Sequence, residues 1–373
     1  MTDVMINKIT ENSDRVFFPF LGDGGIKIER TAFTIPGLNV DIYWYGLLIG
    51  IGVILAMIYA YRKFESFGID SDRATDVIIG GVIGAVLGAR IYFVIFRWSN
   101  YVSDGKILWK EIINYRDGGL AIFGGVIGGF LVGGLICKWR KLKVAPLFDI
   151  AAMGFLIGQT LGRWGNFFNQ EAYGSLTKLP WGMTSSKIMN ELAGLYPNTP
   201  TTELIAHPTF LYESLWCIIG FIGLHFYMKH RKFDGEIFLL YIGWYGLGRA
   251  YIEGLRTDSL YIGSTSVRVS QLLAALCVIA SISLIIYKRL QLKKAGGYQF
   301  FYETELSKEQ IAESKEKYSQ SSKTKLSISQ VIDSAFENQT DLDDEDNEDD
   351  EDEFYDNADD SDEDDDDEED DDE

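Results

Sequence analysis

From Ile42 onward, apolar runs of roughly membrane-spanning length recur along the chain, each broken by a short polar stretch. They fall at about 42–61, 76–96, 119–137, 147–163, 209–228, 236–254 and 269–287. The fourth is short and contains Asp149. This pattern predicts an all-α, polytopic membrane protein with about seven transmembrane helices. Residues 1–41 precede the first run as an external N-terminal segment. Residues 42–290 form the membrane-embedded domain and 291–373 a cytoplasmic tail. Met1 to Phe20 lack a basic region leading into an apolar stretch, so no cleavable signal peptide is expected.

Lysine and arginine orient the runs. Arg62 and Lys63 follow the first; Lys138, Arg140, Lys141 and Lys143 the third; Lys229, Arg231 and Lys232 the fifth; Lys288, Arg289, Lys293 and Lys294 the seventh. All follow odd-numbered runs and so share one face, which the positive-inside rule makes cytoplasmic. The N-terminus is then outside and the C-terminus inside. In the loop 97–118 the basic residues are mixed with Asp104, Glu111 and Asp117. The long connection at about 164–208 becomes external, and its length marks it as functional or partly folded in its own right.

Composition adjusts this picture at one end. The net charge of −21 comes from the tail: 26 of the 55 acidic residues lie in 341–373, leaving 29 against 34 Lys and Arg elsewhere. A block of like charge repels itself, so the tail from about 339 is expected to be solvated and disordered. Cation buffering or binding of a basic cytosolic protein are its functional alternatives, and no particular tail partner is indicated. The second and third runs carry Gly80, Gly81, Gly84 and Gly88, then Gly124, Gly125, Gly128, Gly129, Gly133 and Gly134. Glycines at this spacing let helices approach closely in lipid. With no preceding strand and no following Lys-Ser/Thr, they are not a nucleotide loop. Cys137, Cys217 and Cys277 lie in or beside apolar runs without ligand spacing and read as buried apolar residues.

The candidate chemistry is concentrated where the fourth run becomes polar, at Leu161-Gly162-Arg163-Trp164-Gly165-Asn166-Phe167-Phe168-Asn169-Gln170-Glu171. Charged groups at this depth pair, line a wet cavity or bind something. In the sixth run, Arg249, Glu253 and Arg256 stand at i, i+4 and i+7, on one helix face. The orientation brings that face, Arg163, Glu213 and Tyr45 to similar depth near the outer leaflet. Singly, each has an ordinary reading as an interfacial anchor or a local ion pair. Together they describe a polar cavity with excess donors. The planar arginine fork suits phosphate oxygens, and phospholipid headgroups are the anions available at that depth. There is no Gly-x-Ser-x-Gly elbow and no metal-spaced His/Asp cluster. An enzyme built on these residues would act by placement and electrostatics on an external nucleophile. The competing class is an anion or lipid transporter, but the halves show no internal repeat.

These residues resemble the prolipoprotein diacylglyceryl transferase family. Its signature Gly-Arg-x-Gly-Asn-Phe-x-Asn-x-Glu-x-x-Gly is present as Gly162, Arg163, Gly165, Asn166, Phe167, Asn169, Glu171 and Gly174. Supporting blocks follow the family's order: Tyr43-Trp44-Tyr45-Gly46, Asp117 through Gly125, His207 through Glu213, and Arg249 through Asp258. The resemblance covers about 40–290 and implies a seven-span, N-out enzyme of the bacterial cytoplasmic membrane with its active site toward the outer leaflet. It implies transfer of the diacylglyceryl group of phosphatidylglycerol to the lipobox cysteine of a prolipoprotein, with release of glycerol phosphate. The partners implied are phosphatidylglycerol, lipobox peptides and membrane lipids, with no cofactor, metal or nucleic acid. Arg163 and Arg249 are assigned to phosphate and leaving-group contact, and Asn166, Asn169 and Glu171 to the headgroup site. Glu253 and Arg256 would hold Arg249, while Glu213 and Tyr45 would line the cavity.

One position departs from the family. Where the family often has His or Tyr, this chain has Phe123, which cannot accept a proton. A free thiol near pKa 8.5 is mostly protonated at neutral pH. Tyr45, Glu171 and Glu253 remain as bases, or the arginine field lowers the thiol pKa; a weakly active or catalytically silent lipid-binding homologue is the alternative.

Overall fold

A computed structural model describes residues 3–11, 14–37, 39–103, 106–114, 118–257, 261, 265 and 267–345. Asp104, Asp117, Asp258 and the acidic run 346–373 lie outside these residues. The chain divides into two units, 1–314 and 315–373.

In the first unit the order is α1 (Asp3–Glu11), β1 (Arg15–Phe17), β2 (Ile26–Lys27), β3 (Thr31–Ile35), β4 (Val40–Tyr43), α2 (Trp44–Phe64) and α3 (Ser71–Phe96). Next come β5 (Val102–Ser103), β6 (Lys106–Ile107), α4 (Trp109–Ile113), α5 (Ile122–Trp139) and α6 (Val144–Asn169). The rest is β7 (Thr184–Ser185), α7 (Ser186–Leu195), α8 (Thr209–Tyr227), α9 (Glu236–Glu253) and α10 (Val269–Ala295), then α11 (Glu305–Glu345), which continues into the second unit. The expected disordered stretch therefore begins inside a described helix, whose last residue is Glu345.

Among the described residues, six helical segments are long and apolar enough to cross a membrane: Trp44–Phe67, Ser71–Phe96, Ile122–Trp139, Val144–Asn169, Thr209–His230 and Val269–Ala295. Their outer faces carry exposed large apolar side chains such as Ile95, Phe96, Leu131 and Leu276. Such faces suit hydrocarbon, because a helix satisfies its own backbone. The expected seventh run, α9, packs among them against α6, α8 and α10 but carries Glu236, Arg249 and Glu253 in 18 residues. Burial and ion pairing make those charges tolerable.

Close packing follows the glycines. Added Cβ atoms at Gly84 and Gly88 of α3, or at Gly124 and Gly128 of α5, would run into the facing helix's backbone. Small residues at these crossings let the two backbones touch. Between α8 and α9, Trp216 and Trp244 stack with centroids 4.2 Å apart. Each indole N–H donates to the other's backbone carbonyl at 2.9 Å, and each ring fills the space over a glycine, Gly248 or Gly220.

Asp149, the residue that made the fourth run doubtful, is fully buried. Its carboxylate accepts the N–H groups of Gly235 at 2.7 Å and Phe238 at 2.9 Å. These amides open α9 and have no partner within that helix, so a carboxylate there both caps it and meets the positive end of its dipole.

The chain beyond α10 returns to the basic ends of the helices. Phe301 is completely buried in the main core with Phe64, Phe67 and Met228. Its N–H, with Tyr298 Oη, donates to Asp234 Oδ2. Ser307 Oγ donates to the carbonyl of Gly68 at 2.7 Å, and Arg73 pairs with Glu313 at 2.7 Å. The Arg231 guanidinium lies 3.8 Å from the Phe67 ring centroid.

At the opposite end, α1, β1 and β2 fold together with the connection that follows α6. Strand β1 pairs with both β2 and β7. A second core joins Ile9, Phe17 and Ile28 to Ile188, Leu192 and Ala206, and to Phe167 and Phe210 of the bundle. The long connection is thus a packed part of the molecule.

Candidate functional site

The apolar run ends at Leu161, but α6 continues two turns to Asn169. The connection therefore begins at Gln170, not near 164. This keeps Arg163, Asn166 and Asn169 on a rigid helix instead of a loop. The helix stops at Gln170, whose φ of 50° is left-handed, and Ala172 follows at 56°. Such angles cost a non-glycine residue free energy and end a helix sharply. The bend returns Glu171 over the last turn, where its Oε1 accepts from Nδ2 of Asn166 and of Asn169, both at 3.1 Å. Lys187 Nζ donates to the Asn169 carbonyl, and Arg30 Nε approaches Asn169 Oδ1 at 3.5 Å.

Glu213 is the centre of the charged cluster. It is nearly buried at 8% side-chain exposure in the first turns of α8. Arg163 Nη2 lies 2.7 Å from its Oε2, while Arg249 and Arg256 each place Nη1 3.6 Å from its Oε1. Arg249 also meets Glu253 at 2.7 Å, one turn along α9. Two expectations are corrected here. Glu213, expected to line the cavity, is not among the residues that line the groove between α2 and α6; it holds three arginines from different parts of the chain. Arg256 pairs with Glu213 and is not on the helix face of Arg249, because α9 ends at Glu253 and a turn at Gly254 and Leu255 follows. There Arg256 forms a β-bridge to Gly174.

That bridge explains the last glycine of the signature. Gly174 N–H donates to the carbonyl of His207 at 2.9 Å, and Ser175 N–H to that of Leu255 at 2.6 Å. A Cβ at Gly174 would collide with His207 and press on the Leu255 carbonyl. Three separated blocks, 162–174, 207–213 and 249–256, thus meet at one backbone crossing. Gly165 plays a similar part, since a side chain there would strike the Tyr45 ring. Trp44 stacks on Phe168 at 4.9 Å, fastening the start of α2 to the end of α6.

Among the described residues, three guanidinium groups thus gather around the buried carboxylates of Glu213 and Glu253. Arg163 and Arg249 remain about one-fifth exposed, open enough to meet an anion. Through Arg163 the cluster reaches a groove of about 600 Å³ between α2 and α6. Tyr45, Arg163 and Asn166 line its polar end, and Ile49, Val53, Met57, Leu147 and Phe155 its walls. A second recess of about 840 Å³ lies on the other side of α2, lined by Arg30, Asp41, Tyr45 and Asn169, so Tyr45 borders both. An apolar trough ending in Arg163 matches an amphiphile with an anionic head.

Phe123 is outside this constellation, with 66% of its surface exposed on the bundle. Sequence reasoning missed three groups. Ser214 accepts from the Trp164 indole at 3.2 Å and donates to the Thr160 carbonyl beside the ion pair. Arg268 donates to the carbonyl of Glu253, a contact with no local sequence signal. Gln159 lines the groove one turn below Arg163, where the i−4 spacing could have revealed it. No His, Cys, Asp and Glu grouping suited to a metal occurs among the described residues.

Comparison with known proteins identifies the family. The family model for prolipoprotein diacylglyceryl transferase matches residues 30–287, and so contains every residue of the cluster. The phosphatidylglycerol–prolipoprotein diacylglyceryl transferases of Staphylococcus aureus strains MSSA476 and MW2 are each 41% identical over 267 residues, covering 71% of this chain and 90% of theirs. That of strain USA300 shows the same identity and coverage. With the family match spanning residues 30–287 and relatives at 41% identity, the chain belongs to the prolipoprotein diacylglyceryl transferase family.

Proposed function

We propose that the protein transfers the diacylglyceryl group of phosphatidylglycerol to the lipobox cysteine of prolipoproteins, at the outer leaflet of the bacterial cytoplasmic membrane. The observation that carries this reading is the arginine cluster around Glu213, which holds Arg163 at the polar end of an apolar groove, in a chain of this family. The acyl chains lie in the groove and the phosphate meets Arg163 and Arg249. The cysteine thiol gives up its proton, and its sulfur attacks the glycerol carbon that bears the phosphodiester. A C–S bond forms as the C–O bond breaks, and the electron pair leaves on glycerol phosphate. Negative charge grows on the departing phosphate, so fixed guanidinium groups stabilise the transition state more than the ground state.

Asn166, Asn169 and Glu171 shape the headgroup pocket. Glu253 orients Arg249, and Arg256 shares Glu213 with the other two arginines. Among groups able to take the thiol proton, Glu253 is 2% exposed and paired with Arg249, whereas Tyr45 and Glu171 are more open. Helix α9 is read as a seventh span whose charges face the bundle. The basic residues after the first, third, fifth and seventh spans support an N-out, C-in orientation.

The test incubates purified full-length protein in phosphatidylglycerol micelles with a lipobox-cysteine peptide. The expected products are the thioether-linked peptide and free glycerol phosphate in equal amounts. Lipid binding with neither product would instead identify a silent homologue, the alternative that Phe123 raises.

A further inference from the structure

The groove is apolar below its mouth with one exception. Between Arg163 and the far end at Leu147 and Phe148, Gln159 is the single polar side chain among the described lining residues. It stands four residues before Arg163 on α6, on the same helix face and about 6 Å deeper along the axis at 1.5 Å per residue. Gln159 Nε2 donates to Tyr241 Oη at 2.9 Å, and Cys217 Sγ donates to Gln159 Oε1 at 3.7 Å. In this arrangement the amide nitrogen faces Tyr241 on α9 and the amide oxygen faces Cys217 on α8. An amide nitrogen carries two N–H groups, and only one goes to Tyr241. On either side of Gln159, Gly158 and Gly162 leave open space where a side chain would project.

An amide in an apolar groove is costly without an acceptor for each donor. A glycerolipid bound with its phosphate at Arg163 carries its acyl ester carbonyls a few bonds further in, at the depth of Gln159. We propose that Gln159 donates a hydrogen bond to an ester carbonyl of the bound glycerolipid and so selects diacyl over dialkyl lipid. This assignment rests on the proposed transfer reaction for the identity of the lipid, but its test does not require turnover. Tyr241 and Cys217 are positioning residues that hold the amide.

The experiment measures displacement of a fluorescent phosphatidylglycerol from full-length protein by ester-linked phosphatidylglycerol and by its ether-linked analogue. Thioether formation is assayed in parallel. Gln159→Met keeps the length of the side chain and removes its donors. The expected result is about tenfold weaker binding of the ester lipid, the worth of one hydrogen bond, with ether-lipid binding unchanged. Tyr241→Phe, which frees the amide without shrinking the core, is expected to weaken ester binding in the same direction by a smaller factor. It decides the matter if Gln159→Met does not fold. Equal effects on both lipids, or no effect on either, overturn the assignment. Ester selectivity without thioether product would leave Gln159 in its role and overturn the transfer reading instead.

Discussion

Glu213 and Arg163 meet at 2.7 Å across the α6–α8 interface, with the glutamate almost wholly buried. The pair is flanked by the hydrogen bond from Trp164 to Ser214, and Arg249 and Arg256 close on the other carboxylate oxygen. One buried anion therefore sets the positions of three cations. Removing it changes more than one contact.

Glu213→Gln leaves three guanidinium groups without their shared counter-charge. Breaking a buried ion pair from one side costs about 3–5 kcal/mol. Thermal unfolding in lipid micelles should show a clear fall in melting temperature together with loss of turnover. An unchanged melting temperature would show that the cluster does not depend on this carboxylate.

Arg163→Ala and Arg249→Ala each remove donors proposed to meet the phosphate. Loss of such a group lowers kcat by about a hundred- to a thousandfold. Steady-state assay of thioether formation checks this. An Arg249→Ala protein with near-normal kcat would move the phosphate contact elsewhere.

Gly128 and Gly134 lie on the same helix but differ in surroundings. A Cβ at Gly128 runs into Gly84 and Gly88, whereas one at Gly134 meets nothing within 4 Å. Gly128→Ala should destabilise by about 1–3 kcal/mol through overpacking. Gly134→Ala should be neutral or mildly stabilising, because alanine is the better helix former. Melting temperatures of the two variants provide the comparison.

Phe301 lies beyond the family match, yet it is completely buried. Phe301→Ala should cost about 3–5 kcal/mol, as for other core aromatics. Deleting 341–373 should leave turnover intact. A large loss of activity on that deletion would give the acidic run a role beyond a solvated tail.

His207 sits outside the spans, with Nδ1 3.2 Å from Tyr212 Oη, and burial lowers its pKa below the usual 6.5. The folded state thus disfavours the imidazolium. As pH falls through 6.5, the unfolded chain takes up a proton that the folded chain resists, so stability drops. The effect should be small, because the ring is only partly buried. His207→Gln should flatten the dependence of melting temperature on pH between about 7.5 and 5.5, the window set by the histidine pKa.

Some of this was legible in the residues alone. The recurrence and length of the apolar runs follow from hydrocarbon thickness, and each expected run corresponds to a helix. Arg163, Asn166, Asn169, Glu171 and Gly174 stand in one local signature, where spacing alone carries information. Arg249 and Glu253 were likewise readable as an i, i+4 pair. What the sequence could not decide depends on contacts between distant positions. Glu213 lies 50 residues from Arg163 (213 − 163) and meets three arginines only once α6, α8 and the turn after α9 converge. Asp149 looked like a flaw in a span until the start of α9 came within reach of its carboxylate. The groove, with Gln159 beneath Arg163, is a space between two helices, so no single segment encodes it. Local periodicity determined the elements and the motif, and only packing decided which charges share a partner, because burial makes each such pairing obligatory.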